Sequence, residues 1–367
     1  MPRALIILLL SWTAAAHAAA PSELFNLAYT LDPQSRAVMP PLGTRLPKRL
    51  EELLLAPEIA LPAAPAVSVP VSKTAPRKDL WDRIRDGFGV PDLDAPLVDR
   101  WQAWYLARPL MLKAILERSR RYLYHVVEEL SKRGMPLELA LLPMVESGYD
   151  PTAVSSAQAA GMWQFIPSTG RDYGLHRGVD YDARRDIVAS TAAALDYLQF
   201  LHELFGDWHL ALAGYNWGEN AVLKAIERNK GKVRGTDYLS LTLPEETRNY
   251  LPKFQALKNL VAYHHAFGLE LDPIPNEPYF TTVATDHSLD LVVAARLSGA
   301  PLEEITSLNP ARSGATGGTG ATRASGGPGT TRGLVLPADK ADKFLANFEN
   351  YKNATPAKKP AKRRPVK

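Results

Sequence analysis

The sequence predicts a mainly α protein, with a helical body over residues 80–270 followed by a small α+β module over 278–350. Three observations carry this. Apolar residues recur at helical spacing between 80 and 267, and glycine and proline fall where helices would end. No comparable run of alternating strand residues appears there, whereas beyond Pro273 short strand-like runs sit between short helices.

The chain opens on MPRALIILLLSWTAAAHAAA, in which Arg3 supplies a basic start, residues 4–10 an apolar core, and Ala16-His17-Ala18 an A-x-A cleavage pattern. Residues 1–18 therefore read as a signal peptide, and the expected location is the periplasm. The apolar run is well short of the roughly 20 residues that a membrane-spanning helix needs. Residues 19–79 are rich in alanine and proline (Pro57, Pro62, Pro65, Pro70, Pro76) and read as an N-terminal region and linker. Cysteine is absent. That excludes disulfides, thiolate metal sites, a cysteine nucleophile and a lipid anchor on an N-terminal cysteine. No stable membrane insertion is expected.

Several helices can be placed by their ends. One is predicted over 109–133, stopping at Gly134, with Leu116, Leu123, Val127 and Leu130 at helical spacing. A second is predicted from Pro136 to Gly148, with Pro143 inside it removing a donor. A long helix should follow Asp182 as N-cap and end at Gly206, burying Ile187, Ala194, Leu198, Leu201 and Phe205. Another should start at Asn216, with Glu219 at the capping-box position, and the last at Thr242-Leu243-Pro244-Glu245.

In the C-terminal module, strands are expected over 279–284 and 334–336, and helices over 289–297, 302–308 and 338–348. An insertion with eight glycines between Arg312 and Leu334 interrupts it. Residues 351–367 read as a basic disordered tail, with Lys358, Lys359, Lys362, Arg363, Arg364 and Lys367 and no acid among them. Formal net charge is +4 and much of the excess sits in this tail. The near-neutral body argues against a nucleic-acid partner.

The candidate for chemistry is Glu146, at the end of the apolar run Leu141-Leu142-Pro143-Met144-Val145. Apolar surroundings disfavour a charged carboxylate and raise its pKa toward that of a general acid at neutral pH. Glu146-Ser147 is followed by Ser155, by Gly161-Met162-Trp163-Gln164-Phe165, by Ala213-Gly214-Tyr215-Asn216, and by Glu246-Thr247-Arg248-Asn249-Tyr250. Taken singly each is weak: Met-Trp-Gln-Phe is ordinarily core, Asn216 an N-cap and Tyr250 packing.

In that order and spacing they resemble the soluble lytic transglycosylase-like family, whose fold is that of goose-type lysozyme. The run Val179-Asp180-Tyr181-Asp182-Ala183-Arg184-Arg185-Asp186 is similar to one branch of it. The resemblance covers 101–265 and, more loosely, 279–348. It implies a lysozyme-like helical catalytic domain over 80–270, with Glu146 as the catalytic acid. Ser155, Met162, Gln164, Tyr215, Asn216 and Tyr250 would be substrate-binding, with Ser147 and Glu246 in support. Gly214 stands where alanine is commoner, a difference expected to be harmless. Residues 289–310 resemble a LysM glycan-binding unit, so the module is expected to be LysM-like.

The activity implied is cleavage of peptidoglycan glycan strands at the bond from N-acetylmuramic acid to N-acetylglucosamine, leaving a 1,6-anhydro sugar. Most glycosidases use two carboxylates. No second acid falls within these motifs, and Asp180, Asp182 and Asp186 read as caps and surface partners. One glutamate suffices if the substrate's own hydroxyl is the nucleophile, and neither metal nor organic cofactor is called for. The alternatives are a lysozyme-like muramidase on the same scaffold and a non-catalytic glycan-binding protein.

Overall fold

The computed structural model describes residues 77–178, 181–231, 235–285, 289–312 and 333–354. The signal peptide, the linker to residue 76, nearly all of the glycine-rich insertion and the tail from residue 355 lie outside them; residues 351–354, expected to belong to the disordered tail, continue the last helix. The protein is mainly α. Its helices are α1 (Leu80–Asp86), α2 (Pro96–Leu106), α3 (Pro109–Ser119), α4 (Leu123–Lys132), α5 (Leu142–Glu146), α6 (Pro167–Asp172), α7 (Ile187–Phe205), α8 (Trp208–Trp217), α9 (Glu219–Asn229) and α10 (Glu245–Ala262). Strand β1 (Phe280–Val283), helices α11 (Leu291–Ser298) and α12 (Leu302–Leu308), strand β2 (Leu334–Pro337) and helix α13 (Ala341–Ala354) follow. Among the described residues no helix is long and apolar enough to cross a membrane.

The chain divides into two units, whose described residues fall within 77–118 and 200–275 for the first, and within 119–199 and 276–354 for the second. In the first unit α10 packs along α2 and α8. Polar groups buried there are paired, as the cost of orphaning them demands. Trp101 Nε1 donates to Asn249 Oδ1 at 3.0 Å, and Asn249 Nδ2 donates to the Glu245 carbonyl at 2.8 Å. The buried Lys258 ammonium donates to the Val90 carbonyl at 2.6 Å and meets Asp92 at 2.8 Å. Burial alone would raise the Asp92 carboxyl, but hydrogen bonds from Lys258 and Gln255 hold it below its ordinary range.

Several predicted boundaries move, each for a visible reason. The helix expected over 109–133 is two helices, because the chain turns at Ser119, whose carbonyl accepts the Tyr122 N–H at 2.9 Å. The turn buries the Tyr122 ring, sends its hydroxyl to the Ser307 carbonyl at 3.1 Å and brings Arg121 to Glu304. The helix expected over 136–148 is a 3-10 segment, Leu137–Leu141, followed by α5. Pro143 therefore sits in the first turn of α5, where its missing N–H costs nothing. The long helix begins at Ile187 rather than after Asp182. Asp186 is its cap, with Oδ1 accepting the Ala189 N–H at 2.8 Å, while Asp182 caps only the 3-10 turn Ala183–Arg185. Asn216 is not an N-cap but lies in the last turn of α8. The break falls at Gly218, whose φ of 91° suits glycine, and α9 starts at Glu219.

In the second unit β1 and β2 pair antiparallel, from Phe280 opposite Pro337 to Val283 opposite Leu334. Helices α11, α12 and α13 enclose a core of Leu291, Ala294, Ile305, Leu334, Leu336, Phe344 and Phe348. The buried Asn309 ends α12 and ties it to β2: Nδ2 donates to the Ile305 and Val335 carbonyls, and Oδ1 accepts the Val335 N–H. Residues 119–199 share this unit. Tyr279 and Arg121 both reach Glu304, His125 packs on Phe280 at 5.2 Å, and Asp182 N–H donates to the Ala311 carbonyl at 2.9 Å.

Candidate active site

Glu146 is the last residue of α5 and is half-buried. The apolar run before it is buried from Leu139 to Met144, as predicted. The chain then reverses sharply. Ser147 N–H and Tyr149 N–H both donate to the Pro143 carbonyl, at 3.1 and 2.9 Å. Gly148 and Tyr149 take positive φ, 60° and 62°. For tyrosine that left-handed conformation costs about 1–2 kcal/mol. Tyr149 is held in it by complete burial, by its hydroxyl donating to the Ala140 carbonyl at 2.7 Å, and by stacking on Tyr122 at 6.3 Å. Burial also pushes its phenol far above the ordinary value. The residue that ends the helix carrying Glu146 is thus followed by a rigid corner.

Ser147 connects this corner to residues 153–165. Its buried hydroxyl donates to the Met162 carbonyl at 2.9 Å. Residues 161–165 are a turn flanked by short bridges, Val154 with Ala160 and Ala160 with Phe165, not a helix. Ser155 Oγ accepts the Ala159 N–H at 2.9 Å and closes the preceding turn over 155–159. Met162 and Trp163 are buried, and Trp163 Nε1 donates to Thr191 at 3.0 Å. Gln164 is half-buried at φ 51°, its Nε2 donating to the Gly161 carbonyl at 2.7 Å. Gln158 too has positive φ, 61°.

These residues surround Arg184, which is 4 % exposed. Its Nε and Nη2 grip both oxygens of Asp182, at 3.0 and 2.7 Å. Its Nη1 donates to the carbonyls of Gln158 and Phe165, at 2.6 and 3.0 Å. Burial would raise the Asp182 carboxyl, but the Arg184 hydrogen bonds and charge hold it below the ordinary range. Gly161, at φ 84°, rests on the Arg184 backbone, where a Cβ would overlap the carbonyl oxygen.

Glu146, Ser147, Ser155, Met162 and Gln164 all lie in the second unit; Tyr215, Asn216, Glu246 and Tyr250 lie in the first. Within the first unit Asn216 and Tyr215 occupy the last turn of α8, half-buried, and Tyr250 is buried in α10. The partner that orients Asn216 is Thr247, whose buried hydroxyl donates to Asn216 Oδ1 at 2.8 Å. The Thr247 carbonyl in turn accepts the Tyr238 hydroxyl at 2.7 Å. Glu246 is exposed. In the sequence Glu246 stands out by its charge, whereas Thr247 beside it in the same motif carries no such mark. Arg184 carries none either, because a charged residue outside a periodic run looks like surface.

Among the described residues no group of three histidines, cysteines or carboxylates could hold a metal. Three neighbouring carboxylates already have work: Asp150 accepts from Thr152 N–H and hydroxyl, Asp182 holds Arg184, and Asp186 caps α7 and takes the Tyr181 hydroxyl at 2.6 Å.

Comparison with known proteins follows these elements. Residues 126–236 match the model of the Transglycosylase SLT domain. Over 273 residues the chain is 39 % identical to membrane-bound lytic murein transglycosylase D of Escherichia coli strain K12, and equally to that of strain CFT073. The match covers 74 % of this chain and 58 % of each relative. Membrane-bound lytic murein transglycosylase C of Glaesserella parasuis serovar 5 is 30 % identical over 175 residues, 41 % of this chain and 48 % of the relative. The chain spans little more than half the length of the curated relatives it matches. It carries a transglycosylase SLT domain at residues 126–236 and is a relative of the membrane-bound lytic murein transglycosylases.

Proposed function

We propose that the chain is a peptidoglycan lytic transglycosylase acting through the single carboxyl of Glu146. The observation that carries this reading is the setting of Glu146: a half-buried acid ending an apolar helix inside the SLT segment, followed by a corner that Tyr149 and Ser147 hold rigid. The carboxylates at 150, 182 and 186 are each engaged in a turn, a cap or an ion pair, which supports a reading with one reacting acid.

In this mechanism Glu146 first gives its proton to the oxygen bridging N-acetylmuramic acid and N-acetylglucosamine, and the bond to C1 breaks. The resulting carboxylate takes the proton of the muramoyl 6-hydroxyl, whose oxygen closes onto C1. The acid is regenerated, no water is consumed, and the product is a 1,6-anhydro sugar. Asn216, with its carbonyl oxygen taken by Thr247, offers Nδ2 as a donor to an N-acetyl carbonyl. Gln164, with Nε2 engaged, offers Oε1 as an acceptor. Ser155 and Tyr215 would complete the sugar contacts, while Met162 and Tyr250, almost wholly buried, would support the groove from beneath. The module over 278–350, with its helix pair on a two-stranded sheet, fits a LysM-like unit that serves either glycan binding or packing. Export to the periplasm rests on the signal-like start of the sequence.

Digestion of purified sacculi followed by mass spectrometry tests the reaction. Wild type should release products lighter by one water than muramidase products, with no new reducing ends. Glu146→Gln should remain folded and lose at least roughly 10²-fold in rate, since an amide neither gives nor takes the proton. New reducing ends would make the protein a hydrolase. Activity of Glu146→Gln within tenfold of wild type would remove Glu146 from the chemistry.

A further inference from the structure

We propose that Arg184, paired with Asp182, is a positioning residue that holds residues 153–165 in the form in which Glu146 works; this rests on the role of Glu146 proposed above. All three guanidinium nitrogens are committed. Two face Asp182, and the third reaches across to the carbonyls of Gln158 and Phe165. Only a planar fork can do both at once, which a lysine ammonium cannot reproduce.

What the fork holds is strained backbone. Gln158 has positive φ and Phe165 directly follows Gln164, which has it too. Such residues persist where their surroundings over-determine them, and they concentrate where geometry serves function. Arg184 supplies that determination from one buried point, and Gly161 lets the same segment lie against its backbone. The path to the acid is short. Met162, between Gly161 and Trp163, presents its carbonyl to the Ser147 hydroxyl at 2.9 Å, and Ser147 follows Glu146 in the chain. Loss of the fork should let 158–165 relax, loosen the Met162–Ser147 bond, and change the direction in which Glu146 meets the glycosidic oxygen.

Asp182 is held in turn from outside the segment. Its N–H donates to the Ala311 carbonyl at 2.9 Å, and its Oδ1 also accepts the Arg184 N–H at 3.2 Å. The carboxylate therefore presents a fixed face to the guanidinium, which suits positioning better than a mobile surface pair.

The test compares wild type, Arg184→Lys, Asp182→Asn and Phe344→Leu, full chains throughout, at a temperature where each is folded by circular dichroism. Phe344 is fully buried in the module core and serves as a stability control. Release of anhydro-muropeptides gives kcat and KM, and hydrogen exchange reads the amides of 153–165. Arg184→Lys should lower kcat about 30-fold or more with KM within threefold, because a displacement near 1 Å can cost about 10²-fold. Exchange should quicken in 153–165. Phe344→Leu should lower thermal stability with kcat within twofold. If Arg184→Lys fails to fold, Asp182→Asn carries the test, with an expected kcat loss of about fivefold or more. A folded Arg184→Lys or Asp182→Asn with kcat within threefold of wild type overturns the proposal. So does a kcat loss in Phe344→Leu equal to theirs. A wild type that releases no anhydro product instead overturns the proposed function and takes this role with it.

Discussion

Gly161→Ala is the sharpest single test of how the segment beside Glu146 is built, because two separate penalties meet there. The first is conformational: at φ 84° an L side chain is strained, at about 1–2 kcal/mol. The second is steric. A Cβ would overlap the Arg184 carbonyl oxygen and lie 2.8 Å from its carbon, which must retreat by about 0.6 Å merely to reach ordinary contact at 3.4 Å. The oxygen must move further. That displaces the residue whose guanidinium grips the Gln158 and Phe165 carbonyls, and hydrogen bonds from a charged donor contribute about 1.5–3 kcal/mol each. Losing one of the two and adding the conformational cost gives roughly 3–5 kcal/mol, a large part of the roughly 5–15 kcal/mol that holds a protein folded. Gly174→Ala isolates the first penalty, since Gly174 has φ 74° and nothing within 4 Å of the added Cβ. Thermal unfolding should place Gly174→Ala a few degrees below wild type and Gly161→Ala about 6–20 °C below it, at roughly 2–4 °C per kcal/mol. Equal shifts for the two variants would refute the claim that Gly161 is fixed by close approach to Arg184.

Two further tests address other parts of the molecule. Burial pushes the His125 imidazole below 6.5, against the pull of Glu129 and Asp186, and no partner for its buried Nε2 occurs among the described residues. The unfolded chain then binds more protons, so stability from this group is complete above pH 6.5 and declines as pH falls toward the lowered value; His125→Phe should flatten that slope in unfolding titrations, and an unchanged slope would count against it. Lys258→Met should cost about 1–3 kcal/mol by removing the ammonium's hydrogen bond to the Val90 carbonyl and its pairing with Asp92, measured by urea unfolding; a change under about 0.5 kcal/mol would count against a structural role for this ammonium.

Much of the architecture was legible because periodicity and punctuation report helices directly. Apolar spacing marked α4 and α7, the Pro244-Glu245 start marked α10, and Gly134 and Gly206 end their helices as expected. The elements β1, α11, α12 and β2 fall within two residues of the predicted ends. What periodicity could not show was where tertiary contacts outbid propensity. Leu116 and Leu123 continue one stripe on paper, yet the chain breaks between them to bury Tyr122. Around Glu146 the motifs named the right neighbourhood and little of its mechanics. The left-handed backbone at Tyr149, Gln158 and Gln164 has no signature in residue type, since none is glycine or asparagine. Arg184 and Asp182 sat inside a quoted motif, but a pair two residues apart looks like a turn until the carbonyls it reaches, 19 and 26 positions away, are known.

The same long-range bonds decide what truncation before residue 276 would do. In the sequence the C-terminal module begins after a change of texture, as a detachable part would. In the structure residues 276–354 complete the unit that contains Glu146. Removing them strips the Tyr122 hydroxyl of the Ser307 carbonyl, Arg121 of Glu304 and the Asp182 N–H of the Ala311 carbonyl, and it uncovers His125 where Phe280 packs. Three lost hydrogen bonds at about 0.5–1.5 kcal/mol each, with the apolar surface of Phe280 on top, give a loss of roughly 3–5 kcal/mol. A chain ending at Pro275 should therefore unfold well below the full chain and release anhydro-muropeptides more slowly even from short soluble glycans, which need no second glycan contact. A chain ending at Ala354 should match the full length in both. If the Pro275 form keeps its unfolding temperature and its rate on short glycans, these contacts do not support the segment around Glu146, and the module serves glycan binding alone.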